Sequence, residues 1–240
     1  MSSSSKEQEA RYANSDIWVV VPVRGLDRGK SRLAAVLDEA GRERLNRWLL
    51  ERTLGVIRGW SGALDRCVVV SRCRRARALA AQAGARVALE PGGEGGLNRA
   101  AALGAAEAAA RGAGRVLLLP CDLPLITSES LTALASDPAR RHMVIAPDRA
   151  RAGTNALMID ARAGVEFQYG EASFTRHRAW AAKQGWTIST CARIELAFDL
   201  DTPADYAAWS GDREEEKWLA PPRDTARPPA MSTLQLEEES

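Results

Sequence analysis

Histidine is almost missing from this chain, with only His142 and His177 among 240 residues. The four cysteines, Cys67, Cys73, Cys121 and Cys191, include no Cys-x-x-Cys pair. A zinc cage of thiolates and imidazoles is therefore excluded, and a disulfide framework is equally out of place. No run approaches the roughly 18 consecutive apolar residues that a membrane span needs. The polar, serine-rich stretch 1–16 has neither an apolar core nor a cleavage pattern, so no secretory signal is expected. The expectation is a soluble cytoplasmic protein with no membrane contact. Lysine is scarce too: Lys6, Lys30, Lys183 and Lys217 are the only ones among 33 basic residues. A lysine in a glycine-flanked loop therefore stands out. Aromatics make up only 5% of the chain. With so few to interleave with the arginines, no nucleic-acid groove is expected.

With 45% hydrophobic residues, the chain can bury a substantial core without a staple. Its net charge of +2 conceals a basic middle, +7 over 17–210, between two acidic ends. Such a middle suits small phosphorylated ligands as well as a solvated surface. Residues 1–16 are expected to be a disordered tail, 17–210 a single domain, and 211–240 a disordered extension rich in Glu and Pro. Apolar runs predict strands at 17–23, 67–71, 86–90, 115–119, 143–146, 156–159 and 195–200. Helical spacing predicts helices at 39–58, 72–83, 97–111 and 174–184, with Leu45, Trp48, Leu49, Val56 and Ile57 as the buried stripe of the first. Gly84 stands where a left-handed helix end belongs. The continuously apolar strands WVVVPV, CVVVS and RVLLLP fit a parallel sheet covered on both faces. The fold class is therefore α/β, a Rossmann-like and mostly parallel sheet with right-handed crossovers. Ligands of such folds bind beyond the carboxyl ends of the strands.

After the first strand comes Arg24-Gly25-Leu26-Asp27-Arg28-Gly29-Lys30-Ser31. Its glycines allow close backbone approach to phosphates, and Lys30 and Arg24 add charge there. It nearly spells a Walker A loop, but its glycines enclose three residues where four are required. A surface turn before a basic helix is the plain alternative. Asp122 follows the fourth apolar run, and Asp199 and Asp201 end the last. On a strand, the latter two would share a face, and opposite Asp122 they could hold Mg2+, which takes oxygen ligands shared with substrate phosphates. Asp201-Thr202-Pro203 is equally a helix start. Gly153-Thr154-Asn155 before a strand, and Tyr169-Gly170-Glu171-Ala172-Ser173 before a helix, offer hydroxyls and free N–H donors for a small anion, or ordinary turn and cap chemistry. Gly92–Asn98 opens a helix and could wrap a base or ribose. His177 reads as structural.

Together, VPVR at 21–24 and KSRL at 30–33, GGLN at 95–98, LPCDLPL at 119–125, GTNAL at 153–157, YGEASFTRH at 169–177 and DLDTPAD at 199–205 make one pattern. It resembles the 2-phospho-L-lactate guanylyltransferases of coenzyme F(420) biosynthesis, including relatives that use phosphoenolpyruvate or 3-phospho-D-glycerate. The resemblance spans about 17–209. It implies the fold of MobA-like nucleotidyltransferases, a Mg2+ ion on Asp122, Asp199 and Asp201, and Lys30 on the phosphates of GTP, the co-substrate. It also implies that Thr154, Gly170 and Ser173 bind the three-carbon phospho-acid. Guanine preference comes only from the resemblance, with Gly95, Gly96 and Asn98 as candidate base or ribose contacts. Arg24 departs from a frequent lysine and Cys121 from a frequent alanine, without removing a ligand.

The expected chemistry is transfer of GMP from GTP to the phospho-acid, with release of pyrophosphate. Competing readings are a related nucleotidyltransferase acting on molybdopterin or a sugar phosphate, a P-loop NTPase, and a non-catalytic nucleotide-binding module. The partners expected are small-molecule substrates. The sequence leaves oligomeric state open, and the resemblance suggests a homodimer.

Overall fold

A computed structural model describes residues 16–27, 29–90, 92, 96–136 and 141–210. The stretches read as tails, 1–16 apart from Asp16 and 211–240, lie outside the described residues.

Seven strands form one sheet: β1 Ile17–Pro22, β2 Cys67–Ser71, β3 Arg86–Leu89, β4 Arg115–Leu118, β5 His142–Pro147, β6 Thr154–Asp160 and β7 Thr187–Thr190. Their spatial order is β3-β2-β1-β4-β6-β5-β7. β1 pairs in parallel with β2 and β4, β2 with β3, and β5 with β7. Only β6 runs against its neighbours. The expectation of a mostly parallel sheet holds, and the reversed strand has a consequence: the first residue of β6, Thr154, lies at the edge where β1 and β4 end.

The helices are α1 Glu39–Ser61, α2 Arg74–Gln82, α3 Gly96–Ala110, α4 Ser128–Ala135, α5 Ser173–Lys183, α6 Ile194–Ala197 and α7 Pro203–Ser210. β1 shows why they lie on both faces. Val19 and Val21 enter the apolar cluster beneath α1, α2 and α4, whereas Trp18 and Val20 enter the one beneath α3 and α5. Alternate residues of a strand face opposite sides, so a strand buried on both sides must be apolar throughout.

Several expectations need correction. Residues 195–200 do not make a strand: α6 occupies 194–197, and 198–201 run on without sheet partners. Leu196, Phe198 and Leu200 are buried at every second position. This period-two burial imitates a strand, but the place beside β5 belongs to β7, whose polar sequence TIST carries almost no apolar signal. Asp199 and Asp201 thus do not share a strand face. β6 begins at Thr154, so Thr154 and Asn155 sit within the strand rather than before it. α1 buries Leu45, Leu49 and Ile57 as expected, but Leu50, Leu54 and Trp60 complete its inner face, with Trp48 and Val56 only partly buried at its margins. Gly84 does close α2 at φ 91°.

α3 lies unusually close to the sheet. A Cβ at Gly104 would stand 2.2 Å from a methyl of Val20 and 3.0 Å from one of Val70. Gly104→Ala should therefore lower stability by about 1–3 kcal/mol, the overpacking cost exceeding the roughly 1 kcal/mol gain in helix propensity. Guanidinium unfolding checks this, and an unchanged midpoint would mean that α3 can ride outward freely.

Candidate active site

Lys30 ends the loop that leaves β1. Its backbone is left-handed, φ 59° and ψ 37°, where it starts the short 3-10 helix Ser31–Ala35. A non-glycine residue there costs about 1–2 kcal/mol, and the surroundings must impose it. From α1, the buried Asn46 donates its amide N–H to the Leu26 carbonyl at 2.9 Å, and the same side chain crowds Gly29 so closely that a Cβ there would lie 2.9 Å away. Leu33, just beyond Lys30, is fully buried with Leu45, Leu49, Phe198, Leu200 and Trp209. At about 1.5–3 kcal/mol per buried side chain, that cluster outweighs the strain. It also joins the β1 loop, α1, the segment flanking Asp199, and α7.

The Lys30 side chain is directed by this packing to two carboxylates. Its Nζ donates to Asp201 Oδ1 at 2.7 Å and stands 3.7 Å from Asp122 Oδ2. The lysine is 8% exposed, while Asp122 and Asp201 are 35% and 42% exposed, so the cation lies beneath a half-open acidic rim. Burial alone would depress the Lys30 pKa, but the charges of Asp122 and Asp201 outweigh it and hold the ammonium above its usual value. Backbone contact fixes the two acidic segments together, Leu200 N–H donating to the Asp122 carbonyl at 3.0 Å. Asp199 belongs to the same electrostatic neighbourhood. Burial raises its pKa, and the charges of Asp122, Asp201 and Asp205 raise it further.

Of the two readings of Asp201-Thr202-Pro203, the helix start is the one seen directly. α7 does begin at Pro203, but its capping is done by Thr202 and Asp205. Thr202 Oγ1 accepts from Asp205 N at 3.2 Å, and Asp205 Oδ2 accepts from Asp201 N, Thr202 N and the Thr202 hydroxyl at 3.1, 2.7 and 2.8 Å. Asp201 is thereby spared for Lys30. Sequence reasoning passed over Asp205, although the T-x-x-D spacing is a capping signature. It also passed over Arg149, which pairs with Asp205 Oδ1 and lies 4.5 Å over the Phe198 ring. Asn155 adds a third tie, donating to the carbonyls of Leu196 and Ala197 at 3.0 and 3.2 Å.

The residues expected to bind a small anion also gather. Thr154, buried at the head of β6, meets His177 Nδ1 at 3.0 Å. His177 lies one turn into the helix that Ser173 opens, and Phe174 N–H donates to the Ala152 carbonyl at 3.1 Å. Gly170 has φ +115°, a conformation strained for any side chain, and Ala172 is left-handed at φ 52°. His177 Nε2 accepts from the Gln168 N–H at 2.9 Å. The ring is neutral, so Nδ1 carries the proton and Thr154 Oγ1 accepts it, which leaves the threonine hydroxyl free to donate elsewhere.

Of the remaining candidates, Arg24 is exposed at the end of β1, and Gly96 starts α3 with φ 44°. Gly95 lies outside the described residues. Asn98 is engaged by protein: Oδ1 accepts from Tyr169 N at 2.6 Å and Nδ2 donates to Tyr169 O at 3.2 Å. Nor is a Walker loop formed, because β1 is followed by a single short 3-10 turn and Lys30 points at carboxylates. Among the described residues, no three acidic, histidine or cysteine side chains stand ready as a metal cage. The donors present are carboxylate oxygens, and Mg2+ is usually held by one or two of these plus water and phosphate oxygens. The residues therefore fit the ion in chemistry and number.

Burial, reinforced by Arg176, pushes the His177 pKa down to about 4, against ~6.5 unfolded. Between those values the unfolded chain takes a proton that the folded one refuses. Stability should therefore fall as pH drops from about 6.5 toward 4, by up to roughly 3 kcal/mol. Urea midpoints across this range check it, and His177→Gln, which cannot titrate, should flatten the slope.

Comparison with known proteins identifies the family and the fold. A family model described as "Guanylyl transferase CofC like" matches residues 17–209. The chain is 41% identical over 197 residues to the phosphoenolpyruvate guanylyltransferase of Rubrobacter xylanophilus, covering 80% of this chain and 92% of that protein. It is 38% identical over 190 residues to the 3-phospho-D-glycerate guanylyltransferase of Phenylobacterium zucineum, covering 78% and 86%. It is 30% identical over 186 residues to the 2-phospho-L-lactate guanylyltransferase of Methanothermobacter thermautotrophicus, covering 78% and 80%. Among solved structures, a nucleotide-diphospho-sugar transferase from Desulfovibrio desulfuricans G20 superposes with a TM-score of 0.65 at 13% identity, covering 84% of this chain and 89% of that one. That likeness shows an α/β nucleotidyltransferase fold. With the family model spanning nearly the whole described domain, the chain belongs to the CofC-like guanylyl transferases.

Proposed function

We propose that this enzyme transfers GMP from GTP to the phosphate of a three-carbon phospho-acid, phosphoenolpyruvate first among them, as a step of coenzyme F(420) biosynthesis in the cytoplasm. The observation that carries the reading is the meeting of Lys30, Asp122 and Asp201 at the strand edge where Thr154 also lies. Relatives named for phosphoenolpyruvate and the four free thiols support the acceptor and the compartment.

A phosphate oxygen of the acceptor attacks the α-phosphorus of GTP, the bond to the β-phosphate bridging oxygen breaks, and pyrophosphate leaves with that electron pair. The acceptor phosphate is ionised near neutral pH, so the attack needs no general base. Asp122, Asp199 and Asp201 would hold Mg2+, which when bound neutralises phosphate charge and aligns the reacting groups. Lys30, still protonated far above neutral pH, supplies a fixed positive charge to the triphosphate. Thr154, by way of the proton on His177 Nδ1, offers its hydroxyl hydrogen to the acceptor, and Gly170 and Ser173 line the same subsite. Catalysis then rests on positioning and charge neutralisation.

The test is mass spectrometry of products from GTP, Mg2+ and equimolar phosphoenolpyruvate, 3-phospho-D-glycerate and 2-phospho-L-lactate. Guanylylated phosphoenolpyruvate should dominate, with equimolar pyrophosphate. Failure to guanylylate any of the three would overturn the proposal. Asp122→Asn should cost at least about a hundredfold in rate, and near-wild-type turnover would remove Asp122 from the machinery. Thr154→Ala should instead raise the acceptor KM about tenfold or more, as expected for loss of a hydrogen bond to an ion.

A further inference from the structure

Asn98 was singled out by its place in the glycine-rich GGLN stretch, which pointed to the nucleotide. Its side chain has gone elsewhere. The carboxamide pairs with both main-chain groups of Tyr169, and the pairing fixes its orientation, because the oxygen must face an N–H and the nitrogen a carbonyl. Tyr169 is well suited as an anchor. It is buried, with its ring 6.3 Å from that of Phe167 and edge-on to His177 at 5.0 Å. The next residue, Gly170, is exposed and has φ +115°. The chain thus leaves a fixed, buried point and immediately enters the strained turn that leads to Ser173.

The other bonds that shape this turn are supplied from its own half of the molecule. His177 receives the Gln168 N–H, Ser173 N–H donates to the Gly170 carbonyl at 3.2 Å, and Arg176 reaches the Tyr169 carbonyl at a long 3.4 Å. Asn98 instead comes from α3, which packs on β1 and β2 in the other half. α3 is itself seated without slack, as the contact of Gly104 with Val20 requires. We infer that Asn98 is a positioning residue for the acceptor loop, fastening Tyr169 and hence Gly170 to the nucleotide-side scaffold, and that it is not a guanine contact. Strained turns persist only where their surroundings over-determine them; Tyr169 already shares an apolar cluster with α3, and this clamp adds a directional, hydrogen-bonded constraint between the two halves. The inference deepens the proposed transfer and rests on it.

The experiment compares initial-rate kinetics of the wild type, Asn98→Ala and Asn98→Asp with GTP, Mg2+ and phosphoenolpyruvate. Asn98→Ala should raise the acceptor KM about tenfold or more, leave the GTP KM within about twofold, and leave kcat at saturation within about threefold. Asn98→Asp keeps the oxygen that accepts from Tyr169 N–H but sets a second oxygen against the Tyr169 carbonyl, so its acceptor KM should also rise. Should the alanine variant fail to fold, the aspartate variant decides on the same split. A raised GTP KM, or lost preference for GTP over ATP, would overturn the inference in favour of a base contact. A fall in kcat with both KM values unchanged would overturn it in favour of a merely structural role. If the wild type makes no guanylylated product, the proposed transfer falls and this inference with it. If the wild type does and neither variant shifts the acceptor KM, the inference alone falls.

Discussion

A buried ammonium held between two half-exposed carboxylates is the constraint around which the rest of this structure is arranged. Taking Lys30 out of water costs several kcal/mol, and the ion pairs with Asp201 and Asp122 offset that cost only while the three side chains stay in register. Those residues come from the first loop, the loop after β4, and the segment before α7. Nothing local brings them together. The work is done by the six-residue apolar cluster of Leu33, Leu45, Leu49, Phe198, Leu200 and Trp209, against which Leu125 of the Asp122 loop also packs. That loop is tied in through the Leu200 N–H. The hydrophobic effect sets the geometry, and the electrostatics exploit it.

The sheet adds a second element of design. A purely parallel sheet would offer only strand ends at its carboxyl edge. Reversing β6 puts a strand beginning there as well, so Thr154 stands at an edge otherwise made of strand ends and loops. Of the four left-handed non-glycine residues among the described ones, Arg141 precedes β5 at the opposite edge, whereas Lys30, Arg151 and Ala172 lie in connections at this one, Lys30 and Ala172 each turning a corner. Each corner is over-determined by neighbours, Lys30 by Asn46 and the apolar cluster, Ala172 by the bonds around Tyr169 and Phe174.

How far the sequence was legible follows from which forces act locally. Strands β1, β2 and β4 were plain because burial on both faces leaves an unbroken apolar run. α1 was plain from its spacing, and only its exact face was misjudged, since neighbours on both margins share its burial. β7 was invisible, because an edge strand of Thr and Ser carries no hydrophobic signature. The stretch 195–200 misled for the opposite reason: period-two burial without a pairing partner reads as a strand. The acids and Lys30 could be named from composition and position, but their meeting could not be computed from either. Asp205 and Arg149 were missed, and the ties from Asn155 to the carbonyls of Leu196 and Ala197 were not foreseen, because their task is to hold structure, which no motif for chemistry advertises. Asn98 was seen, but its bonds to the main chain of Tyr169 were not, as proximity in sequence to glycines says nothing about where a carboxamide points.

Charge accounting links these observations to the reaction. Asp122, Asp199 and Asp201 bring three negative charges together, and Lys30 returns one positive. The imbalance of two is felt within the protein itself, since burial and the neighbouring acids raise the pKa of Asp199. Asp205 adds no further demand, because Arg149 and the capping bonds around Thr202 satisfy it, and its pKa is lowered although burial acts in the opposite sense. In the proposed transfer, a site left two positive charges short, with half-exposed carboxylates on its open side, would suit the divalent cation brought by GTP. Lys30 cannot relieve the imbalance further, being already fully protonated. In the proposed transfer, that ammonium, held between Asp201 and Asp122, is the fixed positive charge that the triphosphate would meet.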